Sequence, residues 1–164
     1  MYEKGLMLGT ADDVFSPNAD LSRAMIVTIL YRYAGEPDVS ELENPFGDAR
    51  DDVWYTDAVK WAYANEIVMG YGDGMFGPSD PVTNEQLAAL IYRLQQSSGQ
   101  IPPDVGGAAI PDADSISVWA KEVVDALNEQ GIFDDIPGAD FNPRVPASRA
   151  AVASMLYKYL TAIA

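Results

Sequence analysis

The chain has 164 residues and is 48% hydrophobic, enough for one compact domain with a real core. Its 25 acidic residues against 10 basic ones leave a formal charge of −15, a surface that repels a phosphate backbone and argues against both nucleic-acid binding and a polybasic membrane-surface role. Cysteine and histidine are both absent, which excludes disulfides, thiolate nucleophiles, zinc sites with Cys or His ligands and histidine-based triads.

No apolar run approaches the roughly 18–20 residues of a transmembrane helix, so no membrane insertion is expected. Met1-Tyr2-Glu3-Lys4 does not open a signal peptide; the expectation is that a secretion signal was removed or lies outside this chain. The lack of cysteine is compatible with an exported bacterial protein whose fold does not depend on oxidation.

One grammar occurs three times. Phe15-Ser16-Pro17 leads to Leu21-Ser22-Arg23-Ala24, Phe76-Gly77-Pro78 to Val82-Thr83-Asn84-Glu85, and Phe141-Asn142-Pro143 to Ala147-Ser148-Arg149-Ala150. The slot held by Arg23, Asn84 and Arg149 recurs at intervals of 61 and 65 residues. Such self-similarity predicts supersecondary units that bury their apolar faces against one another.

In chain order, Gly5-Leu6-Met7-Leu8-Gly9 matches Glu66-Ile67-Val68-Met69-Gly70, the end of a short helix and the start of a loop. The helix expected before it is missing. Truncation, or a neighbouring chain covering that surface, would account for this, and the exposed apolar face makes self-association or a protein partner plausible. Ser22 reads as the N-cap of a long helix over 22–34, with the stripe Ile26, Ile29, Leu30, Tyr33. Gly35 sits where a left-handed cap would end it. A linker is expected over 36–45.

The second unit, 46–98, starts at Phe46-Gly47-Asp48. A short helix follows from Trp54 to Asn65, then the turn-rich run Gly70 to Pro78, whose glycines require irregular backbone. Thr83 and Gln86 form a capping box opening a second long helix over 84–97, stopped at Gly99. The linker over 99–109, rich in Gly and Pro, is expected to be the flexible one. The third unit, 110–164, repeats the plan: Trp119 to Gln130 aligns with the earlier short helix, and Ser148 caps a helix over 148–162. Ile26, Leu87 and Val152 align, as do Leu30, Ile91 and Leu156, then Tyr31, Tyr92 and Tyr157, then the basic Arg32, Arg93 and Lys158. The tyrosines and these basic residues are expected to be structural. Together the three units form one domain over 1–164, the first unit being partial, 1–35.

Phe46-Gly47-Asp48, Val53-Trp54-Tyr55, Ala58-Val59, Tyr71 to Pro78 and Val82-Thr83 resemble one S-layer homology (SLH) repeat. Ser22-Arg23-Ala24 and Ser148-Arg149-Ala150 are similar to that family's Thr-Arg-Ala-Glu signature. The resemblance implies an all-α, pseudo-threefold domain with a central three-helix bundle and three lobes. It also implies a non-catalytic, extracellular role: holding an exported protein to secondary cell-wall polysaccharide, often pyruvylated, through grooves in which the signature Arg is a central contact. Other S-layer or surface subunits are further implied partners, and no cofactor is implied.

The chemistry is coherent. A pyruvate ketal presents a carboxylate, and the planar Arg fork matches it. Because Arg23 and Arg149 follow an N-cap, the helix N-termini are expected to add to anion affinity. Asn84-Glu85 in place of Arg-Ala discourages a carboxylate in the second unit. The alternative is an SLH fold kept for assembly or protein contacts.

Each candidate also has a plain reading. Arg23 and Arg149 could be surface residues pairing with acids. Trp54 and Trp119 open amphipathic helices at matched positions, which favours the core over stacking on sugar. Phe15, Phe76 and Phe141 are expected in the core. Asp48 and Asp112 are expected to hold turns, with a place near the groove as the family alternative. Gly72 and Gly74 serve the backbone, and Gly72 could admit a sugar. The acidic clusters Asp12-Asp13, Asp48 with Asp51-Asp52, Asp112 with Asp114, and Asp134-Asp135 lack the order of a calcium loop. Catalysis is not expected: only a carboxylate pair could supply it, and such pairs are uninformative in so acidic a chain.

Overall fold

The computed structural model describes residues 6–7, 16–134 and 140–164. Phe15, the loop residues 8–15, Asp12, Asp13 and Asp135 lie outside the described residues. The elements are α1 (Arg23–Tyr33), α2 (Thr56–Ala64), α3 (Asn84–Ser98), a 3₁₀ turn (Ala113–Ser115), α4 (Lys121–Glu129) and α5 (Arg149–Ala162). Among the described residues there is no strand, only isolated bridges, and the fold is all-α as the resemblance implied.

The capping residues set the long helices. Ser22, Thr83 and Ser148 accept from the backbone N–H of Met25, Gln86 and Ala151. Gln86 returns the favour, its Oε1 accepting from Thr83 N at 3.0 Å. The aligned apolar positions are all buried: Ile26, Leu87 and Val152, then Leu30, Ile91 and Leu156. At about 1.5–3 kcal/mol for each large side chain removed from water, this inner layer is a main source of stability.

What joins the repeats is a backbone ring that no side-chain pattern announces. Leu21 N donates to Ala147 O, Ala147 N to Val82 O, and Val82 N to Leu21 O, at 3.4, 2.7 and 3.3 Å. The same rotation recurs one step on. Arg23, Asn84 and Arg149 donate their backbone N–H to Asp80, Val145 and Ala19; Ala24, Glu85 and Ala150 donate theirs to Pro78, Pro143 and Pro17. Each repeat's loop therefore caps another repeat's helix. The three N-termini are gathered at one end, and the short helices pack outside: α2 lies on α1 and α4 on α3. Each described short helix rests on the long helix of the preceding repeat, as the Tyr31–Trp61 ring pair at 5.7 Å illustrates.

The 99–109 linker, expected to be flexible, is docked. Val105 N and Gly106 N both donate to Glu129 O, at 2.8 and 3.0 Å, closing the C-terminal end of α4. The physical reason is that α4 buries only Val124 and Leu127 among its own residues, and its last carbonyls need donors. Gly107 lies against the Asn128 backbone carbonyl, where no Cβ fits. Gly107→Ala is expected to cost about 2 kcal/mol by overpacking. It should also speed hydrogen exchange at Val105 and Gly106 while the amides of α1 stay protected.

Candidate functional site

The three signature slots lie at the junctions between repeats, and all three side chains are buried: Arg23 is 9% exposed, Asn84 7% and Arg149 7%. The first junction is the most completely described. Arg23 reaches from α1 into the loop of the second repeat, where its Nε donates to Phe76 O at 2.7 Å. Its guanidinium carbon lies 4.8 Å from the Tyr71 ring centroid and 5.0 Å from that of Phe76. Among the described residues the Nη groups have no hydrogen-bond partner. Burial pulls the Arg23 pKa down, while Tyr71, Asp80 and Asp48 pull it up; an arginine so placed stays charged.

Asp48 holds the same loop from the other side. Its Oδ1 accepts from Phe76 N at 2.6 Å and its Oδ2 from Gly77 N at 2.7 Å. Desolvation, the largest single influence, raises the Asp48 pKa. The two backbone donors and the Arg23 charge together outweigh it and hold the carboxyl below its ordinary value. Phe76 itself is fully buried, so both polar ends of its peptide environment are met by charged partners. Tyr71, 51% exposed, donates from its hydroxyl to Asp80 Oδ2 at 2.8 Å. Burial and that hydrogen bond push its phenol upward. Gly77, at φ 70°, is required here because a Cβ would strike Asp80 and Tyr71.

The second junction repeats the geometry without the charge. Asn84 Nδ2 donates to Phe141 O at 2.9 Å and to Asn142 O at 3.1 Å. Asp112 accepts from Phe141 N and Asn142 N at 2.9 and 2.7 Å. Glu85, 5% exposed, is held by Ser117, whose backbone N–H and hydroxyl donate to its two oxygens at 3.0 and 2.8 Å. At the third junction Arg149 is buried in like manner, while Phe15, the counterpart of Phe76 and Phe141, lies outside the described residues.

Several sequence expectations change. Trp54 and Trp119 are not core residues: they are 61% and 55% exposed, because each precedes the first turn of its helix and the buried stripe begins later, at Thr56 and Ala120. Trp54 stands edge-on against Tyr55, ring centroids 5.1 Å apart. The first-turn N–H groups at the helix N-termini already have protein partners. The first two N–H groups beside Arg23 and Arg149 go to carbonyls of another repeat and the third to the capping hydroxyl. Tyr157 is exposed rather than structural. Phe76 and Phe141 are buried as expected, and Asp48 and Asp112 hold turns. Gly72, at φ 88°, has open space around it. The sequence reading overlooked Tyr71, Asp80 and the Glu85–Ser117 tether, which only the junction geometry brings together.

The acidic side chains Glu43, Asp51, Asp52 and Asp57 line an open cleft of about 610 Å³ with Lys60. Among the described residues no three carboxylates converge closely enough to hold a metal ion. No helix among them is long and apolar enough to cross a membrane.

The threefold repeat plan corresponds to a known pattern. The profile of the S-layer homology domain matches residues 1–24, 45–88 and 109–153, more than half of the sequence. The chain belongs to the S-layer homology domain family. Among its relatives is an amylopullulanase of Thermoanaerobacterium thermosulfurigenes, 29% identical over 161 residues; the match covers 98% of this chain and 8% of that protein. A cellulosome-anchoring protein of Acetivibrio thermocellus is 24% identical, the match covering 93% of this chain and 34% of that one. An S-layer protein of Bacillus thuringiensis subsp. finitimus is 24% identical, with 96% and 19% covered. The SLH chain thus spans about a third or less of the length of these relatives, whose enzyme and assembly names describe the whole proteins.

Proposed function

We propose that this SLH chain is a cell-surface anchoring module that binds secondary cell-wall polysaccharide at its inter-repeat junctions, with Arg23 and Arg149 as the charged contacts. Supporting the anchoring role is family membership, together with relatives named as S-layer and cellulosome-anchoring proteins. The observation that carries the site is the Arg23 fork: Nε is spent on Phe76 O, while the Nη groups bond no described residue and the guanidinium lies beside the Tyr71 and Phe76 rings. Asp48 and Asp80 offset part of the positive field, so recognition there works by directed donors rather than by long-range attraction. An acidic sugar, such as one carrying a pyruvate ketal, supplies two in-plane acceptors for that fork. Tyr71 and the exposed Trp54 and Trp119 offer faces on which pyranose rings can stack. The second junction, with Asn84 beside Glu85, suits an acidic sugar poorly.

A second reading has its own support. Asn84 makes the same contact to a Phe carbonyl that Arg23 makes, so the slot serves inter-repeat packing even without charge. An SLH fold retained for protein contacts would need nothing more.

Sedimentation with purified Gram-positive-type sacculi separates the two. The anchoring reading expects the chain to pellet with intact sacculi and to stay in solution once acid extraction has removed the secondary polymers. Failure to pellet with several intact wall types would favour the protein-contact reading.

A further inference from the structure

The far end of the bundle holds a feature that the junctions do not use. A cleft of about 470 Å³ opens where α1, α2 and α3 all end, lined by Tyr33, Trp61, Asn65, Ser97 and Gln100, with Ala34, Pro37, Leu94 and Ser98 completing the wall. Arg23 begins α1 and Tyr33 ends it, which places the cleft about 15 Å along the helix from the Arg23 slot. Its size falls in the usual small-ligand range of about 300–1,000 Å³.

Its lining is unusual for this molecule. One residue in five of the chain is charged, 21%, yet none of the lining residues is. The polar groups are a phenol, two carboxamides and two hydroxyls, interleaved with the apolar surfaces of Pro37, Ala34, Leu94 and Trp61. Hydrogen bonds hold the polar groups in place. Tyr33 donates its hydroxyl to Gln100 Oε1 at 3.0 Å, and Ser97 donates to Asn65 Oδ1 at 3.3 Å. Asn65 Nδ2 donates to Trp61 O at 2.9 Å, while the Tyr159 hydroxyl donates to the Gln100 carbonyl at 3.2 Å. Tyr33 also packs edge-on against Tyr159, ring centroids 6.1 Å apart.

Fixed in this way, the cleft still offers hydrogen-bonding capacity outward. Among the described residues Gln100 Nε2 has no acceptor, Asn65 Nδ2 has a second proton, and the Tyr33 and Ser97 oxygens can each accept. Closely spaced donors and acceptors beside small apolar surfaces match vicinal hydroxyls flanked by C–H groups. Charge narrows the choice. The carbonyl ends of three helices face this end of the bundle, a negative potential that disfavours a carboxylate or phosphate.

We propose that this cleft is a second carbohydrate subsite, taking neutral pyranose units, as the Arg23 junction takes acidic ones. The setting rests on the anchoring reading, but binding of a neutral saccharide to the cleft does not. Such units could come from the secondary polymer or from the N-acetylated glycan strand of the wall, and two probes distinguish these sources: maltotriose and N-acetylated chitotriose.

The test is a titration of the 164-residue chain with each trisaccharide, followed by backbone and side-chain amide NMR. With at least one probe, shifts are expected at Tyr33, Asn65, Ser97 and the Gln100 carboxamide. Gln100→Ala and Asn65→Ala should each weaken binding about fivefold, the loss of one neutral hydrogen bond. Arg23→Asn should leave it unchanged. Melting curves establish that both alanine variants are folded, and Tyr33→Phe gives a third variant that keeps the ring packing. Absence of shifts at these residues with both probes, or affinity that survives all three substitutions, would overturn the proposal. Either result leaves the anchoring reading standing, because that is read on sacculi with and without their acid-extractable polymer.

Discussion

Replacing Asp48 with alanine is expected to lower the stability of the domain by about 3 kcal/mol, and its melting temperature by roughly 10 °C. The carboxylate closes two short hydrogen bonds to Phe76 N and Gly77 N. Alanine would strand the N–H of a fully buried residue and remove an acidic neighbour of Arg23. Hydrogen bonds to a charged group contribute about 1.5–3 kcal/mol each, and an unmet buried donor costs more than the bond is worth in water. The pH dependence gives the claim a second handle. The Asp48 pKa is lower in the folded chain than its ordinary value of 3.8. Its stabilisation is therefore fully present above that value and is lost as pH falls through the depressed folded one. Urea unfolding across acid pH should show wild type and Asp48→Asn converging toward the acid end and separating toward neutrality. A constant gap at every pH would mean that the carboxylate charge is not what holds the loop.

Arg23→Asn is expected to lower affinity for intact wall sacculi by about ten- to a hundredfold, one charge-assisted interaction of about 1.5–3 kcal/mol. Alanine would be the obvious substitution, but it would confuse two roles. Arg23 both bonds the Phe76 carbonyl and carries Nη groups that bond no described residue. Asn84 already shows what asparagine does in this slot: its Nδ2 reaches the equivalent carbonyl of Phe141 at 2.9 Å. The asparagine variant should keep the inter-repeat contact, with stability within about 1 kcal/mol of wild type, while losing the fork. Co-sedimentation and a melting curve on the same preparation read both effects. Undiminished pelleting by this variant, together with the Arg149→Asn variant, would remove the arginines from the binding site and leave them as packing residues.

Much of the fold was legible in the residues. Ser22, Thr83 and Ser148 marked the helix starts because an N-cap hydroxyl is a local device, needing only its own next three residues. The apolar stripes of α1, α3 and α5 were readable for the same reason: helical period alone decides which side chains share a face. Phe76 and Phe141 were recognisable as core from their recurrence before a proline. Trp54 and Trp119 show where this logic stops. Their aromatic character and matched positions suggested burial, but each stands ahead of the first turn of its helix, outside the buried stripe that begins at Thr56 and Ala120.

The site divides along the same line. Sequence alone determined that there are repeats, that Arg23, Asn84 and Arg149 are one slot, and that this slot follows a helix cap. These are facts of spacing within a few residues. Only the tertiary structure decided what the slot touches. The ring through Leu21, Val82 and Ala147 turns each helix end toward the loop of another repeat. That rotation makes the carbonyls of Pro78 and Asp80, rather than an anion, the acceptors for the N–H groups of Arg23 and Ala24. It also brings Arg23 over Tyr71 and Phe76, residues about fifty positions away in the chain. Backbone hydrogen bonds between distant segments leave no imprint on side-chain identity, since every non-proline residue carries the same donor and acceptor. Composition and periodicity therefore reach the elements, and the closing of the ring assigns their partners.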